Sequence, residues 1–235
     1  MMFYKKHIML IIYILSILYS IFLCFSIGLV YSSLTMNIIN QLLALDLSLL
    51  QSARGWAWSE YAPVVQVTGE LIVVFWTLFL VGLWIYGVYK KDNQYKIQAL
   101  TIFLTVVSVF AIYAIINLGI PQWRPGAMSI PGAIAPLIPH PIDNSFPSGH
   151  ALFSWAFLVA LFRFFSRCYI LIGSVLIIAS ITLISRVIGG VHYPGDILGG
   201  LIIGSTWAYL LQPYIDILSK KVSPFFIKIA SYIKL

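Results

Sequence analysis

The sequence predicts an all-α fold, a single six-helix transmembrane bundle, and three observations carry that expectation. First, 61% of the 235 residues are hydrophobic and only 9% are charged, against about 25% charged in a typical soluble domain. So apolar a chain cannot hide its side chains in one soluble core of this size, and a bilayer must solvate it. Second, the apolar residues gather into six long runs, at about 8–31, 69–89, 98–119, 150–166, 168–188 and 195–215. Each is near the roughly 20 residues that cross a bilayer as a helix. Third, the basic residues fall almost entirely on alternate connections between those runs.

Taken in order, the first run follows Lys5, Lys6 and His7, as a signal peptide would. It is longer than the roughly 7–15 apolar residues of a signal and lacks a small-residue cleavage site, so it reads as a retained first helix. The segment 32–68 carries Leu34, Ile38, Ile39, Leu42, Leu43 and Leu50 at helical spacing, then Trp56, Trp58 and Tyr61. That pattern fits an amphipathic interfacial helix with aromatic anchors, or a half-buried helix packed on the bundle. After the second and third runs, the segment 120–149 holds seven of the eleven prolines: Pro121, Pro125, Pro131, Pro136, Pro139, Pro141 and Pro147. Proline at this density excludes regular helix, and the apolar Ile130, Ile134, Leu137, Ile138 and Phe146 argue for order. An ordered outer-face loop covering a site is expected. Three further runs follow, and 216–235 reads as a basic cytoplasmic tail lying on anionic lipid. No repeat or linker divides the chain, so one domain is expected over 1–235. Cys24 and Cys168 lie in or beside apolar runs and read as small hydrophobes.

Orientation follows from the positive charges. With the N-terminus in the cytoplasm, the inside segments hold Lys5, Lys6, Lys90, Lys91, Lys96, Arg163, Arg167, Lys220, Lys221, Lys228 and Lys234, eleven of the fourteen basic residues. Only Arg54, Arg124 and Arg186 fall at or near the outside. Both termini are therefore expected in the cytoplasm, in a protein of the cytoplasmic (inner) membrane. The net charge of +7 is a topology signal and implies no nucleic-acid partner.

Ionisable groups in a membrane protein are costly unless they work. The exceptions here cluster at the outer ends of the helices: Arg124; His150 in Pro147-Ser148-Gly149-His150; and Ser185-Arg186 followed by His192 and Asp196. Two arginines present fixed forks of N–H donors suited to a tetrahedral oxyanion. Ser148 and Gly149 open a helix, where free N–H groups and the dipole favour an anion. Pro194 suits the start of another helix. Asp196, four residues beyond His192, is placed to fix one ring nitrogen and leave the other as nucleophile or base. His150 is a second imidazole, available as general acid. An anion cradle, an oriented histidine and a second histidine together point to phosphoryl transfer through a phosphohistidine. Asp143 and Asp196 are the only acids near these motifs, so no magnesium cluster, and no metal or other cofactor, is expected.

Each residue has a plainer reading. Arg124 suits a headgroup anchor, Ser148 a helix cap, His150 an interfacial polar group and Asp196 a dipole-stabilising acid. His140 and Asp143 read as loop residues without chemistry, and Glu70 as a helix-start acid. The combination is what favours a site.

The order Arg124-Pro125, Pro147-Ser148-Gly149-His150, and Ser185-Arg186 with five residues to His192 and three more to Asp196 resembles the three-part signature of the type 2 phosphatidic acid phosphatase family. The likeness covers about 117–200. It implies a magnesium-independent membrane lipid phosphatase related to vanadium haloperoxidases. By that likeness His192 is the nucleophile, Asp196 orients it, and His150 protonates the leaving group. Arg124, Arg186, Ser148 and Gly149 hold the phosphate. Asn117 stands where the family usually has a lysine, seven residues before the arginine. Some members acting on isoprenyl diphosphates also lack that lysine, which tilts the expected substrate slightly toward undecaprenyl diphosphate. Phosphatidylglycerol phosphate, phosphatidic acid and the lipid A phosphates are the other candidates. A lipid phosphotransferase and an anion transporter are the rivals, and the sequence leaves the oligomeric state open.

The topology is testable. In a chain freed of its own cysteines, Ala133→Cys is expected to react with an impermeant thiol reagent added to intact cells. Labelling only after the cytoplasm is opened would reverse the orientation.

Overall fold

The computed structural model describes residues 33–55, 59–119, 122–126, 135–139 and 144–232. The expected first helix at 8–31, Trp56, Trp58, Pro121, Pro131, Pro141, His140 and Asp143 lie outside the described residues. The described residues are helical throughout, joined by turns and one isolated antiparallel bridge between Trp123 and Asn144. The helices are α1 (Ser33–Arg54), α2 (Ala62–Thr68), α3 (Leu71–Lys90), α4 (Asn93–Gly119), α5 (Gly149–Phe165), α6 (Tyr169–Ile188) and α7 (Pro194–Tyr232). Two compact units are distinguished, Met1–Leu47 and Ser48–Leu235. The bundle is the second.

Among the described residues, three stretches are long and apolar enough to cross a membrane: Ser59–Lys90, Asn93–Gly119 and Tyr169–Ile188. The run expected at 150–166 forms α5, an apolar helix of 17 residues. The run at 195–215 is only the first part of α7, which continues as one helix through Pro213 and Pro224 to Tyr232. The segment read as a tail is therefore helical over 216–232, and Ser219 is buried where Thr101 of α4 donates to its hydroxyl at 2.9 Å. The amphipathic helix expected from Leu34 to Leu50 is found as α1. Its Leu50 is fully buried, so the packed alternative holds at that end.

Short turns reverse the chain between α3 and α4, α5 and α6, and α6 and α7, while the long segment 120–148 leads from the end of α4 to the start of α5. Asp92 closes the α3–α4 turn by accepting from Gln94 N–H at 2.8 Å, and Lys91 adopts the left-handed conformation (φ 53°) that ends α3. One end of every bundle helix thus meets at a common place, where Glu70, Asn117, His150, Arg186 and Asp196 lie. Lys90, Lys91, Arg163 and Arg167 mark the turns at the opposite end. Ile72, Ile102, Val106, Phe157, Val175 and Ala179 form the core between α3, α4, α5 and α6. Aromatic edges lock it, with Trp76 on Phe153 at 5.2 Å and Phe79 on Phe157 at 5.8 Å.

The closest approach is between α5 and α7. A Cβ on Gly200 would lie 2.7 Å from Ala151 Cβ and 2.8 Å from the Ser148 carbonyl, and one on Gly204 would lie 2.9 Å from Leu152 Cα. Small residues let two helix backbones touch where lipid gives no hydrophobic drive. The turn between α6 and α7 is fixed in the same way, with Gly190 at φ +71°.

The Gly204 contacts are all with the backbone of Leu152, which cannot move aside cheaply. Gly204→Ala is expected to cost roughly 1–3 kcal/mol, the range for overpacking, read as a lowered unfolding midpoint in detergent. Gly82→Ala, where a Cβ meets nothing within 4 Å, is expected to stay within about 0.5 kcal/mol of wild type.

Candidate active site

The common end of the helices holds a cavity of about 260 Å³ lined by Val73, Phe110, Tyr113, Arg124, Gly149, His150, Phe153, Arg186 and His192. All three sequence motifs therefore reach one place, each from a helix end or the loop beside it.

His192 lies in the turn before α7 and is buried. Its Nδ1 faces Asp196 Oδ2 at 3.3 Å. Asp196 is fully buried and saturated with donors: Gln122 Nε2 reaches Oδ1 at 3.0 Å, and Tyr193 N–H reaches Oδ2 at 2.9 Å, where the Ser145 hydroxyl also donates. A carboxylate so held is an acceptor for an Nδ1–H, which leaves the lone pair on Nε2. That atom points at Arg124, whose Nη1 lies 3.2 Å away and also donates to the Val191 carbonyl at 2.8 Å. Burial pushes the His192 imidazole down to about 4; the hydrogen bond to Asp196 opposes that shift, and the positive charge of Arg124 adds to it. The ring is neutral at ordinary pH.

Ser148 occupies the N-cap position of α5 in extended conformation (φ −66°, ψ 119°), yet its side chain caps nothing. Its Oγ is buried without a hydrogen-bond partner, and so is Arg186 Nε. The plain helix-cap reading of Ser148 is therefore not met. Buried donors without partners are rare; Arg186 lines the cavity and Ser148 adjoins Gly149, which does, a pairing that suits an anion at the α5 N-terminus. At Gly149 the nearest atom to an added Cβ is Tyr113 Cε2 at 3.7 Å, so the glycine keeps space open toward the cavity.

Three residues at the site were not recognised from sequence. Ser145 and Gln122 support Asp196. Glu70 stands at the N-cap of α3 but its side chain makes no cap hydrogen bond. Its Oε2 lies 3.1 Å from His150 Nε2 and its Oε1 accepts from Arg186 Nη1 at 3.2 Å. An acid beside an apolar run was the available signal. Asn117 stands in the last turn of α4. It does not line the cavity; its amide donates to the Asn144 carbonyl at 3.0 Å, and the Asn144 side chain donates back to the Asn117 carbonyl. It braces the turn that carries Ser145. Among the described residues no three His, Cys, Asp or Glu side chains gather as metal ligands would.

Fold and site together define a helical membrane protein with a cavity at one end of its bundle lined by two arginines and two histidines. The chain belongs to the PAP2 superfamily, whose sequence model matches residues 97–218. It is 32% identical over 152 residues to the bacitracin transport permease protein BcrC of Bacillus licheniformis, covering 64% of this chain and 70% of that one. It is 31% identical over 157 residues to the undecaprenyl-diphosphatase BcrC of Bacillus subtilis (strain 168), covering 63% and 75%. The fold also resembles the crystal structure of a transmembrane PAP2-type phosphatidylglycerolphosphate phosphatase from Bacillus subtilis. The TM-score is 0.55 over 84% of this chain and 93% of that one, at 19% identity.

The shifted imidazole has a consequence for stability. The folded value of about 4 lies below the ordinary 6.5, so the unfolded chain takes the proton first as pH falls. The contribution is fully present above pH 6.5 and is lost as the pH falls from there through about 4. The thermal midpoint is expected to drop across that window, and His192→Gln to flatten the drop.

Proposed function

We propose that the chain is a lipid phosphatase that forms a phosphohistidine on His192 and hydrolyses it. The observation that carries this reading is the His192 ring. Its Nδ1 is held by a saturated carboxylate, and its Nε2 lies 3.2 Å from Arg124 beside a cavity with unpartnered donors. Arg124, Arg186, the Ser148 hydroxyl and the α5 N-terminus hold the phosphoryl oxygens and stabilise charge as it develops. Nε2 attacks phosphorus, a P–N bond forms, and the P–O bond to the lipid breaks while His150 gives its proton to the departing oxygen. Water then attacks, His150 takes its proton, and phosphate leaves as the P–N bond breaks. No step uses a metal ion.

A diphosphate lipid of the undecaprenyl class is the favoured substrate. Its support is the named activity of the Bacillus subtilis relative, and no longer Asn117, which braces a turn. The site is assigned to the outer face of the cytoplasmic membrane. The basic turns Lys90–Lys91 and Arg163–Arg167 lie at the far end of the bundle, and basic residues stay inside. A transporter has no use for an oriented His192–Asp196 pair.

The purified chain, with chelator present, is expected to release phosphate from a panel of lipid mono- and diphosphates. His192→Ala is expected to lose at least about 100-fold, and vanadate to bind far more tightly than phosphate. Undiminished turnover in His192→Ala would overturn the mechanism. Loss of activity with chelator would assign it to a metal, and phosphate appearing only on an added acceptor lipid would assign a transferase.

A further inference from the structure

The second histidine has a carboxylate partner of its own. Glu70 is held in place by the junction of α2 and α3, which hydrogen bonds tie to α6. Thr68 Oγ1 and Ser185 Oγ are 2.7 Å apart, Thr182 Oγ1 donates to the Thr68 carbonyl at 3.1 Å, and Ile72 N–H donates to Thr182 Oγ1 at 3.2 Å. The Glu70 side chain is half exposed, yet it caps no helix; both oxygens turn to the cavity's cations. One oxygen takes Nε2 of His150, and the other takes Nη1 of Arg186 while that guanidinium's buried Nε stays without a partner.

We propose that Glu70 is a positioning residue for the general acid. Its carboxylate engages Nε2 of His150, which makes Nδ1 the atom that passes the proton to the leaving oxygen. In the first half-reaction the Nδ1–H proton goes to the departing oxygen as the P–O bond breaks and the P–N bond to His192 forms. In the second, Nδ1 takes a proton from the attacking water as the P–N bond breaks. Glu70 gains and loses no proton. The site then holds two histidine–carboxylate pairs with divided roles. The buried Asp196 orients a neutral nucleophile. The half-exposed Glu70 holds Nε2 of the proton carrier and leaves Nδ1 for the leaving oxygen.

The inference rests on the phosphatase reading above, and leaving-group chemistry separates the two. An alkyl lipid monophosphate expels a strongly basic alkoxide and needs the proton. An aryl phosphate such as p-nitrophenyl phosphate expels a stable phenolate and does not. With the full chain purified in detergent, Glu70→Gln keeps the shape and removes the charge. It is expected to lower kcat roughly 10- to 100-fold on the alkyl ester and less than about threefold on the aryl ester. Glu70→Asp, which retains the charge, is expected to recover part of the alkyl activity. In a His150→Ala background, Glu70→Gln is expected to add no further loss, since partners acting as one unit are not additive. Equal losses on both esters would make Glu70 a support for the fold or for Arg186 alone, and would overturn the proposal. A gain on both would mean that its carboxylate occupies the phosphate's seat, which also overturns it. A wild-type chain releasing phosphate from neither ester would remove the phosphatase reading, and this proposal with it.

Discussion

The contact on which the site depends is made by backbone. Gly200 and Gly204 bring α7 against the first turns of α5 so closely that no side chain fits between them. At the end of this seam the Ser148 N–H donates to the Asp196 carbonyl at 3.1 Å. Two motifs nearly fifty residues apart in sequence are thereby joined by a single hydrogen bond between helix starts. Ser148 and His150 ride on one helix, Asp196 on the other, and His192 on the turn between α6 and α7. In lipid, helices gain little from burying apolar surface against one another, and close packing with polar contacts must supply the association. A seam of glycines meets that need, and it also sets the distance between the groups that face the cavity.

Around that seam the polar groups divide into two kinds. Asp196 accepts from Gln122, Ser145, Tyr193 and His192, so its charge is compensated inside the protein. Glu70 plays the same part for Arg186 and His150. Ser148 Oγ and Arg186 Nε are buried without acceptors. Leaving such donors unsatisfied costs about 1–3 kcal/mol each, and a bound anion offsets that cost. The acids are thus occupied by donors of the protein itself, while two buried donors at or beside the cavity are not.

How much of this was legible in the sequence follows physical lines. Apolar runs of bilayer length gave α3 and α6 to within two residues and the C-terminal end of α4, whose polar first turn from Asn93 the apolar run did not include, because burial in hydrocarbon demands an unbroken helix. The spacing from His192 to Asp196 gave their pairing, because four residues across a helix start span one turn. Ser148, Gly149 and His150 were legible from their place at a helix start. Glu70 was not. Its partners lie 80 and 116 residues away, and an acid before a helix has a commoner local explanation. Gln122 and Ser145 were missed for the same reason, since nothing local marks a loop residue as the support of a distant carboxylate. The role of Asn117 was not legible either. The loop carbonyls of Asn144 and Phe146 compete for its amide and draw it away from the cavity.

Every group that faces the cavity stands at a helix end or in the turn beside it, while Val73, Phe110 and Phe153 line the same space with apolar surface. Phe110 is more than half exposed on the outside of the bundle. A molecule with a charged head and a long tail can seat its head among the helix ends and leave the tail in the hydrocarbon alongside α3 and α4. Lifting such a tail into water costs about 0.8 kcal/mol for each methylene, a sum no small cavity repays. With the head reached where it already floats, that extraction is avoided, and supply of substrate becomes a matter of diffusion in two dimensions.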